Sequence, residues 1–252
     1  MKKKEKNILS KETDSVIVPE KQASFAIVEA YKNIRTNLMF LLSQKKNKTF
    51  VVSSALLAEG KSSVSYNCAV AFSQLGHKVL LIDADLRRPS IHKKMHLDNS
   101  RGLSSALVKF CSVEDAIQAK NSCLDIMTAG PIPPNPSELL GSEAMDQLLE
   151  ELDSKYEYII IDTPPIGIVS DALIVAPKTA GIVMVVREGY CTHDSIRKTL
   201  SSIEFAKVRL LGFVLNCSGS KSKTSYKYKY GYGYNYGYGY SSHHITTDNE
   251  KK

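Results

Sequence analysis

The sequence predicts an α/β fold: a mostly parallel β-sheet with helices packed on both faces. Two observations carry that reading. Short runs such as TFVVSSA (49–55), VLLID (79–83), IIID (159–162), GIVMVV (181–186) and LLGFVLN (210–216) are apolar almost throughout and rich in β-branched residues. Such runs suit strands buried on both faces rather than strands with one wet side. Between them lie stretches with apolar residues at helical spacing, and strand–helix alternation implies a parallel sheet covered on both sides.

Taken in order, Phe25 to about Ser43 carries Ile27, Ala30, Tyr31, Ile34, Leu38 and Leu41 at helical spacing. Residues 49–55 form the first strand, residues 61–75 a helix, and 79–83 the second strand. LDIMTAG (124–130) holds a third strand, which GPIPPNP then terminates. Ser137 to Leu152 reads as one helix with Ser137 as its start signal. YEYIIIDTPP (156–165) is the strongest strand. Residues 181–186 and 210–216 follow, separated by a helix near 193–206.

Composition changes sharply near Ser218. Beyond it, Tyr226, Tyr228, Tyr230, Tyr232, Tyr234, Tyr236, Tyr238 and Tyr240 fall at every second position, with Lys, Gly and Asn between them. No aliphatic residue separates these tyrosines, so the segment has little to pack and is expected to be disordered in isolation. The period of two also fits a β-strand, so an adhesive or aggregating segment is the competing reading. Three parts are therefore expected: a loose basic segment over 1–24, a folded domain over 25–218 opening with a helix over 25–44, and a tyrosine-rich tail over 219–252.

The net charge of +7 is carried by the ends. Residues 1–24 hold +2 and residues 221–252 hold +4, leaving +1 for 25–220. A nucleic-acid binder concentrates its charge on a folded face, so no nucleic-acid partner is expected. No run of about 18 apolar residues is present to span a membrane. The five cysteines form no CxxC pair or metal-ligand spacing, which suits reduced thiols in the cytoplasm.

In parallel sheets ligands bind beyond the carboxyl ends of the strands, so the residues after each strand are the ones that matter. After the first strand comes Ala55-Leu-Leu-Ala58-Glu59-Gly60-Lys61-Ser62-Ser63. This is a phosphate-loop pattern with Ala in place of the first Gly. Its backbone N–H groups and the following helix N-terminus make an anion site. Lys61 can reach the outer phosphates, and the Ser62 hydroxyl can ligate Mg²⁺. After the second strand come Asp83 and Asp85, two carboxylates suited to holding Mg²⁺ through water or to proton transfer; Asp85 could alternatively cap a helix or pair with Arg87. Asp162 ends the third strong strand, where it could hold a metal-bound water or merely form a turn before Thr163-Pro-Pro. Asn216 closes the last strand and could read an adenine edge or simply end the strand.

SSALLAEGKSS, LLIDADLRRP and YIIIDTPP together resemble the Walker A, A′ and B motifs of the bacterial tyrosine kinases. These are capsule and exopolysaccharide autokinases of the P-loop class, related to ParA and MinD. GPIPPNPSELL and SDALIVAP resemble linking segments of the same family, and the likeness covers about residues 25–240. The resemblance implies an ATP- and Mg²⁺-dependent enzyme that phosphorylates its own tail tyrosines. Ala58 to Ser63 and Asn216 would bind nucleotide. Ser62, Asp85 and Asp162 would hold the metal, and Asp83 or Asp85 would take the tyrosine proton. Glu29, Lys32 and Arg35 match the family's E-x-x-R-x-x-R oligomerisation motif, with Lys32 replacing an arginine whose planar fork it cannot reproduce. The implied partners are further copies in a ring-like oligomer, a membrane polysaccharide co-polymerase that activates and recruits the kinase to the inner face of the membrane, and a protein-tyrosine phosphatase.

An extended chain from Ser220 reaches about 20 Å at Tyr226 and about 65–70 Å at Tyr240, which favours transfer between neighbours for the early tyrosines. Eight phosphates would add about −12 to −16 charges, enough to repel the tail and loosen a ring. Two other functions share parts of this pattern. A ParA/MinD-type ATPase would carry a signature Lys where Leu56 stands and would lack the tyrosine ladder. A nucleotide-bound scaffold would bind ATP without transferring phosphate.

Overall fold

The computed structural model describes residues 25–218. The N-terminal segment and the tyrosine tail with Tyr226 to Tyr240 lie outside the described residues. The chain order is α1 (Phe25–Leu42), β1 (Thr49–Ser54), α2 (Lys61–Ser73), β2 (Val79–Asp83), α3 (Ile91–Met95) and α4 (Leu103–Leu107). Then follow β3 (Ile117–Ala119), β4 (Leu124–Met127), α5 (Pro136–Gly141), α6 (Glu143–Asp153) and β5 (Tyr158–Asp162). The chain continues through α7 (Asp171–Val175), β6 (Ile182–Arg187), α8 (His193–Phe205) and β7 (Leu210–Asn216).

The seven strands lie in the order β3-β4-β2-β5-β1-β6-β7. All neighbours are parallel except β3, which runs antiparallel to β4 at the edge. The mostly parallel sheet is as predicted, and so is the two-sided burial. Along each central strand alternate residues enter different cores. Val51, Leu80, Ile82, Ile159 and Ile161 pack on one face with the helical residues Leu103, Met145, Leu152 and Val175. Phe50, Val52, Leu81 and Ile160 pack on the other with Leu38, Leu42, Val64 and Phe72. That period of two with both sides apolar is why the strands read as unbroken hydrophobic runs.

Two expectations about elements need correction. The helix read over Ser137–Leu152 is two helices, α5 and α6. Gly141 ends the first, and Ser142, in extended backbone (φ −71°, ψ 158°), starts the second with Glu143 in its first turn. The three-residue strand β3 was not foreseen, because Ile-Gln-Ala is too short and too polar to give a periodic signal. No helix of the described residues is long and apolar enough to cross a membrane.

The topology places the site. From β1 the chain goes one way to β2 and β4, and later the other way to β6 and β7, so the order reverses beside β1. That reversal opens a crevice at the carboxyl ends of the strands. The phosphate-loop pattern begins directly after β1, and Asp83 and Asp162 are register partners at the ends of β2 and β5.

Candidate active site

The loop from Ala55 to Gly60 runs from β1 into the 13-residue helix α2, whose first residue is Lys61 and whose preceding residue is Gly60. Gly60 has φ +88°, and a Cβ built on it would lie 2.1 Å from Asn216 Nδ2. The backbone sign favours glycine there, and a side chain would also have to push the Asn216 amide aside. Gly60→Ala is therefore expected to displace Asn216 or reshape the loop. Nucleotide titration should show an affinity loss of about tenfold or more, because a strained left-handed residue and a steric shift add. Unchanged affinity would mean that the loop yields without cost.

Ala58 also sits in the left-handed region, at φ +58°. Glycine adopts that conformation freely and alanine does not, so Ala58 carries backbone strain in the loop. Ala55 is fully buried and is not among the residues with positive φ, so its methyl group is accommodated there.

Lys61 Nζ donates to Asp85 Oδ2 at 3.2 Å. Burial pushes the Lys61 pKa down, but the carboxylates of Asp162, Asp85 and Asp83 together hold it above the ordinary lysine value. Asp85 also accepts the Arg88 N–H on its other oxygen at 3.0 Å. Asp85 thus does cap a local turn, but Arg87 is not its partner. Arg87 reaches Asp171 instead, with Nε to Oδ2 at 2.8 Å and Nη2 to Oδ1 at 3.1 Å. Ser137 Oγ donates to the same buried carboxylate at 2.7 Å. This bidentate pair ties the loop after β2 to the starts of α5 and α7, and sequence reasoning missed it because the partners are 84 residues apart.

Asp83 is wholly buried. Its oxygens accept N–H groups from Asp85, Ser90 and Ile91 at 3.2, 3.2 and 3.1 Å. Burial raises its pKa strongly, and the facing Asp162 carboxylate raises it further. Burial raises the Asp162 pKa too, against the opposing effect of Lys61 and of the Ser62 and Ser65 hydroxyls. Two carboxylates facing across adjacent strands, with one lysine near them, make an electrostatically unsatisfied site.

The donor set fits a hard divalent cation. Asp162 Oδ1 accepts from Ser65 Oγ at 3.0 Å, while Asp162 Oδ2 is buried with no hydrogen-bond partner. The Ser62 hydroxyl acts on the same carboxylate. An orphaned carboxylate oxygen beside a hydroxyl at a phosphate loop is the arrangement Mg²⁺ uses, with one or two carboxylates and the remaining ligands from phosphates and water. Among the described residues no cluster of three or more His, Cys, Asp or Glu is placed to hold a metal by itself.

Asn216 Nδ2 donates to the Glu59 carbonyl at 2.9 Å, and its Oδ1 accepts the Cys217 N–H. Its side chain is therefore engaged with the loop backbone. Lys94 Nζ donates to Ser63 Oγ at 3.1 Å. On α1, Glu29 and Lys32 pair at 2.7 Å, and Arg35 Nη1 donates to the Ala71 carbonyl at 2.8 Å. These three residues thus have partners within one chain.

Comparison with known proteins decides the family. The chain is 44% identical over 189 residues to the tyrosine-protein kinase YwqD of Bacillus subtilis (strain 168), covering 75% of this chain and 80% of that protein. The chain belongs to the bacterial tyrosine-protein kinases. The kinase domain of Escherichia coli tyrosine kinase ETK superposes on this kinase with a TM-score of 0.75 at 36% identity, covering 81% of this chain and 80% of that one. The chimerical protein CapA2B2 gives a TM-score of 0.71 at 39% identity, covering 74% of this kinase and 83% of that chain. A ParA family model, described as NUBPL iron-transfer P-loop NTPase, matches residues 45–244 and places the kinase within the P-loop NTPases.

Proposed function

We propose that this kinase transfers the γ-phosphoryl group of ATP to tyrosines of its own C-terminal cluster, Tyr226 to Tyr240, in a neighbouring copy. The observation that carries the proposal is the phosphate loop beside two facing buried carboxylates, Asp83 and Asp162, one of them with an orphaned oxygen.

The loop amides from Ala58 to Ser63 and the α2 N-terminus hold the β- and γ-phosphates, and Lys61 leaves Asp85 to neutralise them. Ser62, Asp85 and Asp162 would hold Mg²⁺, which would supply charge neutralisation at the phosphates. Asp83 orients the tyrosine hydroxyl and takes its proton. The tyrosine oxygen bonds to the γ-phosphorus as the bond to the bridging oxygen breaks, and ADP leaves. Positioning and charge supply the catalysis. Asn216 contributes to the nucleotide pocket from the end of β7.

The neighbour is delivered by a ring-like oligomer built through the α1 face with Glu29, Lys32 and Arg35. A membrane polysaccharide co-polymerase recruits and activates the kinase at the inner face of the membrane, and a tyrosine phosphatase resets the tail. The enzyme regulates polymerisation and export of a capsular or extracellular polysaccharide. Trypsin releases residues 230–251 with six of the eight cluster tyrosines, so one peptide reports most of the reaction. Protein incubated with Mg-ATP and its membrane activator should carry phosphotyrosine on that peptide. Bound ATP with no phosphotyrosine would favour the scaffold reading.

A further inference from the structure

We propose that Glu59 is a positioning residue of the nucleotide loop: its buried carboxylate, with Arg187 and Asn216 at the ends of β6 and β7, clamps Ala58 in the left-handed conformation the loop requires. The inference rests on the nucleotide-binding reading of that loop.

Glu59 is only 1% exposed, although it lies in a loop. Its two oxygens serve opposite sides. Oε2 accepts the Leu56 N–H at 2.6 Å, near the start of the loop, and Oε1 accepts the Arg187 N–H at 3.2 Å, at the end of β6. The Cys191 thiol adds a contact: its pKa is pushed up to about 11, first by burial and then by the Glu59 carboxylate. A carboxyl group can accept on both oxygens at once, as it does here; an amide would turn its NH₂ donors toward one of these N–H groups.

Two further bonds act on the loop carbonyls. Arg187 Nη1 donates to the Ala58 carbonyl at 3.2 Å, and Asn216 Nδ2 donates to the Glu59 carbonyl at 2.9 Å. Arg187 and Asn216 are register partners on adjacent strands, so both anchors sit on one rigid edge. The Arg187 guanidinium also lies over the Tyr190 ring at 5.4 Å. In a planar trans peptide the N–H points opposite to the preceding C=O. Holding the Ala58 and Glu59 carbonyls toward β6 and β7 therefore turns the Glu59 and Gly60 N–H groups the other way, toward the anion site. Alanine resists the left-handed region by about 5- to 30-fold in equilibrium. Something must hold it there, and these four side-chain bonds are the restraint the structure contains.

The test is a double-mutant cycle. Glu59→Gln should weaken Mg-ADP binding by about 5- to 30-fold, the strain it releases. In the nucleotide-free protein it should also speed hydrogen exchange at the Leu56 amide. Ala58→Gly removes the strain, so in the glycine background Glu59→Gln should cost no more than about twofold. A residue that merely stabilised the β6 end would cost the same in both backgrounds. Arg187→Met, which has no donor for the Ala58 carbonyl, should show the same rescue and serves if Glu59→Gln does not fold. Wild-type-like binding and Leu56 exchange in Glu59→Gln, or equal losses in the alanine and glycine backgrounds, would overturn the clamp. Wild-type protein that bound no Mg-ADP would overturn the nucleotide reading, and Leu56 exchange would still decide the clamp.

Discussion

Lys61→Met is expected to abolish phosphotyrosine on the 230–251 peptide. Removing a single preorganised group that stabilises transition-state charge costs about 10²–10³ in kcat, and here the group also binds the ground-state phosphates. The same change should alter the nucleotide-free protein. Lys61 is the cation whose field falls on Asp162, Asp85 and Asp83 together, and its Nζ lies 3.2 Å from Asp85. Without it the buried Asp162, whose pKa burial already raises, loses the cation that lowers that pKa and holds its proton to higher pH. A carboxylate with a raised folded pKa contributes stability that is present below its unfolded pKa and is lost as pH rises through the folded value. The melting temperature of Lys61→Met should thus lie further below that of wild type at pH 8 than at pH 6. Phosphopeptide mapping and thermal melts check both halves. Retained phosphotyrosine in the variant would place the chemistry elsewhere.

The parts of this site that were legible in the sequence are those with a local signature. A strand that is apolar over four residues and then ends in Asp, as in VLLID and YIIID, announces a buried acid at a carboxyl end, because no other position in such a run tolerates charge. Gly60-Lys61-Ser62 between a strand and a helix announces the anion site in the same way. What escaped was set by partners distant in sequence. Glu59 reads as one more residue of the nucleotide loop, and its carboxylate finds its second partner only when β6 is brought beside it, 128 residues later. Arg87 reads as a neighbour of Asp85 until α7 delivers Asp171. The break at Ser142 was different, since Gly141-Ser142-Glu143 holds a stop, a start and a first-turn acid. That signal was local, and the apolar period running through it concealed it.

Asp83→Asn is expected to separate binding from transfer. Asp83 lies opposite Asp162 but is not the residue with the orphaned oxygen, so Mg-nucleotide binding should survive. Transfer should fall by about 10²–10⁴-fold, the usual contribution of a positioned general base. The variant should also change how the nucleotide-free protein responds to pH. Burial, then the Asp162 charge, raises the Asp83 pKa to about 7 from an ordinary 3.8. The folded state therefore keeps a proton that the unfolded chain loses near pH 4. Stability from this group is complete below about pH 4 and declines as pH rises toward 7, where the buried carboxylate must ionise beside Asp162. Asparagine has no such proton to lose. It also costs one of the backbone N–H acceptors of Asp83, so its melting temperature at pH 5 should lie below that of wild type. Between pH 5 and 8 the wild-type melting temperature should fall more steeply than that of the variant, and the two should converge. Parallel curves would show that Asp83 is already ionised at pH 5, with its charge offset by the three N–H groups it accepts. Full transfer activity in Asp83→Asn would return the proton-accepting role to Asp85, whose carboxylate Lys61 vacates when it moves to the phosphates.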